Sequence, residues 1–284
     1  PRPLDPVGTR RSQGIPLTAT ALKQSRQPVK RIRSGRGLGD TLYMRSLVRH
    51  LVGIGKNLQV CTDYPELFEG MPVTFDVFSR HNIDYLSHYT KHKADQRTNQ
   101  WQDICKTAGV EAELKIDWKV KNKSLVNEIL DMANGRKVLF VHGGREPMAR
   151  KDRFGRELLP DGKVFNKALG LLEDYFRIQV GDSELLYTLR ADQNLNRATS
   201  VTDVLDIASV ADAFYGQCSF IIPLAESFDK KLMVMWAAKG LKSSEPYIAT
   251  ITPRKILSKP TSHYVVDDWD NDRIEKVVSA FRNA

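Results

Sequence analysis

A chain of 284 residues, 41% of them hydrophobic, can build one large domain or two of ordinary size. No apolar run approaches the roughly 20 residues of a membrane span, and Pro1-Arg2-Pro3-Leu4-Asp5 lacks the apolar stretch of a secretory signal. The net charge is +9, and most of the excess lies in residues 1–33, where eight Arg and Lys side chains face Asp5 alone.

Residues 1–27 therefore read as a basic, flexible arm, rich in Pro, Gly, Ser and Thr and poor in large apolar side chains. Such an arm either attracts a polyanion, nucleic acid included, or is a solvated tail without a partner. The cysteines Cys61, Cys105 and Cys218 are scattered and form no CxxC pair, which fits buried thiols in a reducing, cytoplasmic setting better than disulfides or zinc.

After the arm, residues 29–33 predict a first strand, and residues 34–39 a glycine-rich turn. A helix follows over 41–52, with Leu47, Val48, Leu51 and Val52 at helical spacing. Residues 57–62 predict the next strand, which completes a βαβ unit. Further strands are expected at 73–78 and 83–86, and helices at 99–108 and 124–133. A second start comes after Gly135. Residues 137–141 are a short apolar run ending in His142-Gly143-Gly144, the pattern of a buried parallel strand entering a turn. A helix over 163–175, a strand over 176–180 and a helix over 202–211 with Thr202 as N-cap follow. Strands at 214–216, 232–236 and 263–266 and a helix at 270–281 complete the chain. Two successive runs of alternating strands and helices predict an α/β protein with two Rossmann-like parallel sheets, divided into residues 28–135 and 136–284.

The turn Gly37-Leu38-Gly39-Asp40 carries the chemistry. Glycines allow close approach of the backbone to a ligand, and the helix start offers free N–H groups to an anion. The third glycine of a dinucleotide fingerprint is missing, and no Gly-Lys-Ser/Thr of a P-loop follows. Asp40 reads as the helix N-cap, as a carboxylate in the ligand crevice of a parallel sheet, or as both.

Arg36-Gly37-Leu38-Gly39-Asp40-Thr41-Leu42, followed by an amphipathic helix and a strand, resembles the opening of the lipopolysaccharide heptosyltransferase-like glycosyltransferases. Those proteins have the GT-B fold, two Rossmann-like domains facing a cleft. The resemblance implies an acceptor domain at 28–135 and a nucleotide-sugar domain at 136–284. It makes Asp40 the base that activates the acceptor hydroxyl, and puts Arg36, Gly37, Gly39, Thr41 and Arg45 around the acceptor or a phosphate. The donor falls to His142, Gly143, Gly144, Arg145 and Lys151 after the strand at 137–141, and to Ser219 and Glu226. At the places of the family's Asp-Ser/Thr-Gly triplet and following histidine this chain has Cys218, Ser219, Phe220 and Pro223; Leu224-Ala225 is shared.

The resemblance implies an inverting, metal-independent transfer from a nucleotide-sugar co-substrate, without a cofactor. The basic arm suits a polyanionic acceptor, either a modified base in DNA, as in phage-type DNA glycosyltransferases, or an anionic glycan or glycolipid. The departures at 218–223 suit a non-catalytic nucleic-acid- or nucleotide-binding protein that retains the fold. The Asp-rich stretch 267–272 contains DxD patterns, yet it precedes a helix and reads as capping. The histidines show no metal-ligand spacing, and Trp101 and Trp118 read as core.

Overall fold

A computed structural model of the chain describes residues 28–35, 37–76, 83–87, 98–143, 159–181, 189–241 and 252–284. The basic arm therefore lies outside the described residues. The first sheet has four parallel strands in the order β3-β2-β1-β4, with β1 at Lys30–Ser34, β2 at Leu58–Cys61, β3 at Val73–Asp76 and β4 at Tyr85–Ser87. Helix α1, Leu38–Gly53, joins β1 to β2. In β1 the buried side chains are Ile32 and Ser34. On the half-buried positions, Arg31 donates through Nε to Gln59 Oε1 at 2.8 Å and pairs with Asp76 at 3.4 Å. Arg31, one of the basic residues that blur the strand's alternation, thus has partners on β2 and β3.

The second sheet has six parallel strands in the order β10-β9-β8-β5-β6-β7. They are β5 Val138–His142, β6 Phe176–Gln179, β7 Gln193–Asn194, β8 Ala213–Gln217, β9 Lys231–Trp236 and β10 Ser262–Val266. Successive side chains of a strand point to opposite faces, and both faces here are covered. Val138, Phe140, Phe214, Leu232 and Val234 share one core with α5 (Val201–Val210) and α6 (Ile221–Ser227). Leu139, Val141, Tyr215, Met233 and Met235 share the other with α4 (Gly162–Gly170) and the C-terminal helix, Asn271–Asn283. Burial on both faces explains the near-continuous apolar runs of β5 and β9.

The larger core does not stop at the second sheet. It runs on through α1 to Ile32, Leu58 and Val60 of the first, and α1 packs against α6. Two further helices, α2 (Gln100–Ala108) and α3 (Lys123–Ala133), flank the connection. Although α3 precedes position 136, it packs on α5. The residues between α2 and α3 cross from one sheet to the other as a brace. On one side Ser46 Oγ donates to Lys115 O at 3.1 Å, and Arg45 Nη2 to Asp117 O at 2.7 Å. On the other, Ile116 N–H donates to Ser227 O at 3.0 Å. Asp206 of α5, fully buried, accepts from Trp118 Nε1 at 2.6 Å and from the N–H groups of Lys121 and Asn122 at 3.0 and 2.7 Å.

Three local expectations are corrected. The N-cap of α5 is Ser200, not Thr202: Ser200 forms a reciprocal capping box with Asp203. Helix α4 ends at Gly170 and continues as turns through Asp174 instead of running to 175. Asp40 is not the N-cap of α1; that position is Gly37, and Asp40 sits in the first helical turn. The Asp-rich stretch does cap: Asp270 accepts from Arg273 N–H at 2.8 Å at the start of the C-terminal helix. Trp101 is core, stacked on Tyr43 at 6.2 Å.

The brace yields a stability prediction. Asp206→Ala removes the acceptor of three donors, which costs roughly 2–5 kcal/mol when such groups are left buried. Urea unfolding measures the loss, and a change below about 0.5 kcal/mol, typical of a surface substitution, contradicts the assigned role.

Candidate active site at the junction of the two sheets

The site is built where α1 begins. Gly37 is the N-cap with extended backbone (φ −74°, ψ 150°) and offers no side chain to the helix. The carboxylate of Asp40 accepts from the Gly37 N–H instead, so an acid in the first turn satisfies a donor the cap leaves open. The turn also needs Gly35, because a β-carbon there would lie 2.1 Å from Asp40 Oδ2. Burial pushes the Asp40 carboxyl up from 3.8 to about 6, and the Gly37 hydrogen bond offsets only part of that.

Gly39 brings the second sheet to this turn. A β-carbon on Gly39 would stand 3.1 Å from Phe220 Cα, so the start of α1 rests on the turn between β8 and α6. The Phe220 ring lies 4.6 Å from the ring of His142, centroid to centroid. His142 closes β5, is buried, and bonds through Nδ1 to Val180 O at 2.9 Å. A carbonyl only accepts, so in this bond Nδ1 carries the proton. Asp40, Phe220, His142 and Gly143 therefore gather at the C-terminal edges of parallel strands from both sheets, the side on which open α/β sheets bind ligands.

Other expected residues hold the scaffold. Thr41 is buried; its Oγ1 donates to Gly37 O at 3.2 Å and lies 3.3 Å from Ser34 Oγ, so it fixes the turn. Arg45 is buried, with Nε on Leu67 O at 2.7 Å and Nη2 on Asp117 O, and burial lowers its pKa to about 10. Its guanidinium belongs to the brace. Ser219 Oγ donates to Gln217 O at 3.1 Å and shapes the β8–α6 turn. Glu226, at the far end of α6, is fully buried and accepts from Ser258 N–H and Ser262 Oγ, each at 2.8 Å, from Lys259 N–H at 3.2 Å, and from Ser258 Oγ. Burial raises its carboxyl while these donors pull it back. Glu226 thereby anchors the segment that enters β10. Arg36, Gly144, Arg145 and Lys151 lie outside the described residues. The sequence names Phe220 only as a departure from the family's triplet and Gly35 only as part of the glycine-rich turn; the structure sets Phe220 against Gly39 and Gly35 against the Asp40 carboxylate.

No group of three or more His, Cys, Asp or Glu side chains is arranged to hold a metal among the described residues, and no described helix is long and apolar enough to cross a membrane.

No protein-family profile and no curated protein sequence matches this chain. Solved structures do. The ADP-heptose lipopolysaccharide heptosyltransferase II of E. coli superposes with a TM-score of 0.57 at 12% identity, over 90% of this chain and 100% of that one. The chain has the heptosyltransferase fold. The E. coli heptosyltransferase WaaC with ADP gives a TM-score of 0.52 at 9% identity, over 90% of this chain and 98% of that one. The iron-containing dodecameric glycosyltransferase TibC of enterotoxigenic E. coli H10407 gives 0.54 at 11% identity, over 83% of this chain; the match spans 61% of TibC. At these identities the agreement is one of architecture, and it covers both sheets.

The displaced Asp40 carboxyl has a consequence for stability. Its pKa is higher in the folded chain than in the unfolded one, so the folded state is favoured below pH 4 and loses that advantage as pH rises through about 6. Two pH units of displacement correspond to about 3 kcal/mol. Asp40→Asn, which keeps an acceptor for Gly37, is expected to be more stable than the wild type at pH 8 and equal to it near pH 4. Thermal melts of both proteins across that range check it; a variant less stable at pH 8 contradicts it.

Proposed function

We propose that the protein is a glycosyltransferase that moves a sugar from a nucleotide-sugar donor to an acceptor hydroxyl, with inversion at the anomeric carbon and without a metal or cofactor. The observation that carries this is the desolvated carboxylate of Asp40 at the edge where the two sheets meet, on a fold shared with nucleotide-sugar-dependent enzymes. The acceptor oxygen attacks the anomeric carbon from the Asp40 side. The bond from that carbon to the diphosphate breaks, its electron pair leaves with the diphosphate, and the hydroxyl proton passes to Asp40. A base with a pKa near 6 is ionised at neutral pH and accepts the proton late, when the attacking oxygen has become acidic.

On this reading the residues following the second sheet's strands hold the donor. His142 at the end of β5 and Gly143 after it, with Ser219 and the backbone of the β8–α6 turn, form its described part. Arg145 and Lys151 are the cations proposed to offset charge on the departing diphosphate. The division into an acceptor domain, 28–135, and a nucleotide-sugar domain, 136–284, belongs to the same proposal. The basic arm, residues 1–27, is proposed to hold a polyanionic acceptor, a modified DNA base or an anionic glycan, in a cytoplasmic protein.

Asp40→Asn is expected to abolish transfer while donor affinity, measured by calorimetry, stays within about threefold, because only the base in the transition state is lost. Undiminished turnover sinks the assignment. Removal of residues 1–27 is expected to weaken binding of duplex DNA and flatten its dependence on salt if the acceptor is a DNA base. Unchanged DNA binding turns the acceptor reading to a glycan. Tight DNA binding with no stabilisation by any nucleoside diphosphate sugar supports a non-catalytic binding protein instead.

A further inference from the structure

Beside the edge strand β10 lies a groove of about 330 Å³, of the size that takes one small ligand. It shares no residue with the Asp40 turn or with the ends of β5 and β8. Its apolar lining is Leu241, Pro253 and Leu257, with Tyr264 from β10. Its polar lining is Thr252, Ser262 and Arg254, and none of the described lining residues is acidic. Arg254 is exposed and makes no ion pair with a described residue. The walls are held from behind. Tyr264, 39% exposed, meets the Trp269 ring at 5.5 Å and the Trp236 ring edge-on at 6.3 Å. The Arg273 guanidinium lies 3.5 Å from the centre of the Trp269 ring. Ser262 Oγ donates to Glu226 at 2.8 Å, and Ser258 and Lys259 N–H groups also donate to that carboxylate. On the short helix Pro253–Ile256, Lys255 donates to Thr98 O at 2.8 Å and pairs with Asp103 of α2, so the helix that carries Arg254 is tied to the flank of the first sheet.

We propose that this groove binds an anionic sugar, a saccharide unit that carries one carboxylate or phosphate group. A half-exposed tyrosine ring beside leucine and proline side chains takes the C–H face of a sugar ring by burying apolar surface on both. A free guanidinium pairs with the two oxygens of a carboxylate or phosphate, and the fork geometry makes that contact directional. The Thr252 side chain makes no capping bond to the helix that follows it, which leaves its hydroxyl for a sugar hydroxyl. One cation beside an aromatic wall suits a single charged sugar and not a duplex, whose phosphates are met by a row of Lys and Arg. For its role the proposal rests on the anionic-glycan reading of the acceptor, to which the groove gives a second point of attachment, apart from the reacting hydroxyl.

The test is methyl NMR of the free full-length protein, following Leu241, Leu257 and Thr252 during titration with glucuronic acid and with glucose 6-phosphate. Glucose and inorganic phosphate are the neutral and the sugar-free arms. No donor and no turnover are needed, so failure of the transfer reading and failure of this one are separate results. The two anionic sugars are expected to shift these methyls and to saturate with a Kd on the order of 1 mM, as for other ligands of that size. Glucose and inorganic phosphate are expected to bind about tenfold more weakly or worse, since each lacks one part of the contact. Arg254→Ala, at an exposed position, is expected to weaken both anionic sugars by about tenfold or more and to leave glucose unchanged. Tyr264→Ala is expected to weaken all three sugars, and Tyr264→Phe, which keeps the ring, to retain them. Absence of methyl shifts at about ten times the expected Kd overturns the proposal. So does inorganic phosphate binding as tightly as glucose 6-phosphate, which marks a bare anion site, and so does an unchanged affinity for the anionic sugars in Arg254→Ala. A DNA oligonucleotide that shifts these methyls where the sugars do not overturns it in favour of nucleic acid. Where Tyr264→Ala does not fold, Arg254→Ala decides.

Discussion

The contact on which the structure depends is the seat of α1 on the turn before α6. Each sheet alone leaves an apolar surface that must be covered, and the two solve the problem together: α1 and α6 lie in one continuous core that runs from Ile32 through Leu42 and Leu224 to Phe214. A large apolar interface of this kind resists rocking of one half on the other. The brace adds to it, since Asp206 fixes the crossing segment to α5 while Arg45 and Ser46 fix it to α1. Glycine at 39 is the residue that makes the seat possible, because a β-carbon would have to displace the Phe220 backbone.

The first turn of α1, next to this contact, also carries a desolvated carboxyl, Asp40. A carboxylate in the first turn of a helix is ordinarily stabilised by the helix dipole and by free N–H groups. Asp40 has such a donor in Gly37, yet desolvation outweighs it, and the carboxyl rises instead of falling. The fold thus spends stability at one position near neutral pH to keep a basic group out of water, a pattern associated with functional sites. Two other buried carboxylates have several donors each and serve as anchors. Glu226, also raised by burial, accepts from hydroxyl and backbone groups, and Asp206 accepts from the Trp118 indole and two backbone N–H groups.

Much of this architecture is legible in the residues. The βαβ opening and the apolar strand at 138–142 follow from periodicity and from glycine placement, and the turn ending in Asp40 marks the sheet edge. Helix α6, seven residues long, is too short to show a helical period; Pro223 is accommodated because it falls in the first turn, where its missing N–H would have had no helical partner. Arg45 and Glu226 look like ligand contacts because charged residues near a glycine turn or a donor-binding segment usually stay in solvent. Here each is buried by a segment distant in sequence, Arg45 by residues 67 and 117 and Glu226 by residues 258–262. Such pairings between distant segments leave no local pattern. Phe220 stands out in the sequence only as a departure at 218–223, because its contacts with Gly39 and His142 arise from segments distant in the chain.

The central claim is that one carboxyl group, Asp40, both titrates near pH 6 and limits the reaction. It is tested most directly by comparing the acidic limb of kcat/KM with the titration of the Asp40 carboxyl observed by NMR in the same wild-type protein. The account predicts that the two midpoints coincide near pH 6. A carboxyl midpoint in the ordinary range near 4, or a rate limb that does not follow it, would contradict the account.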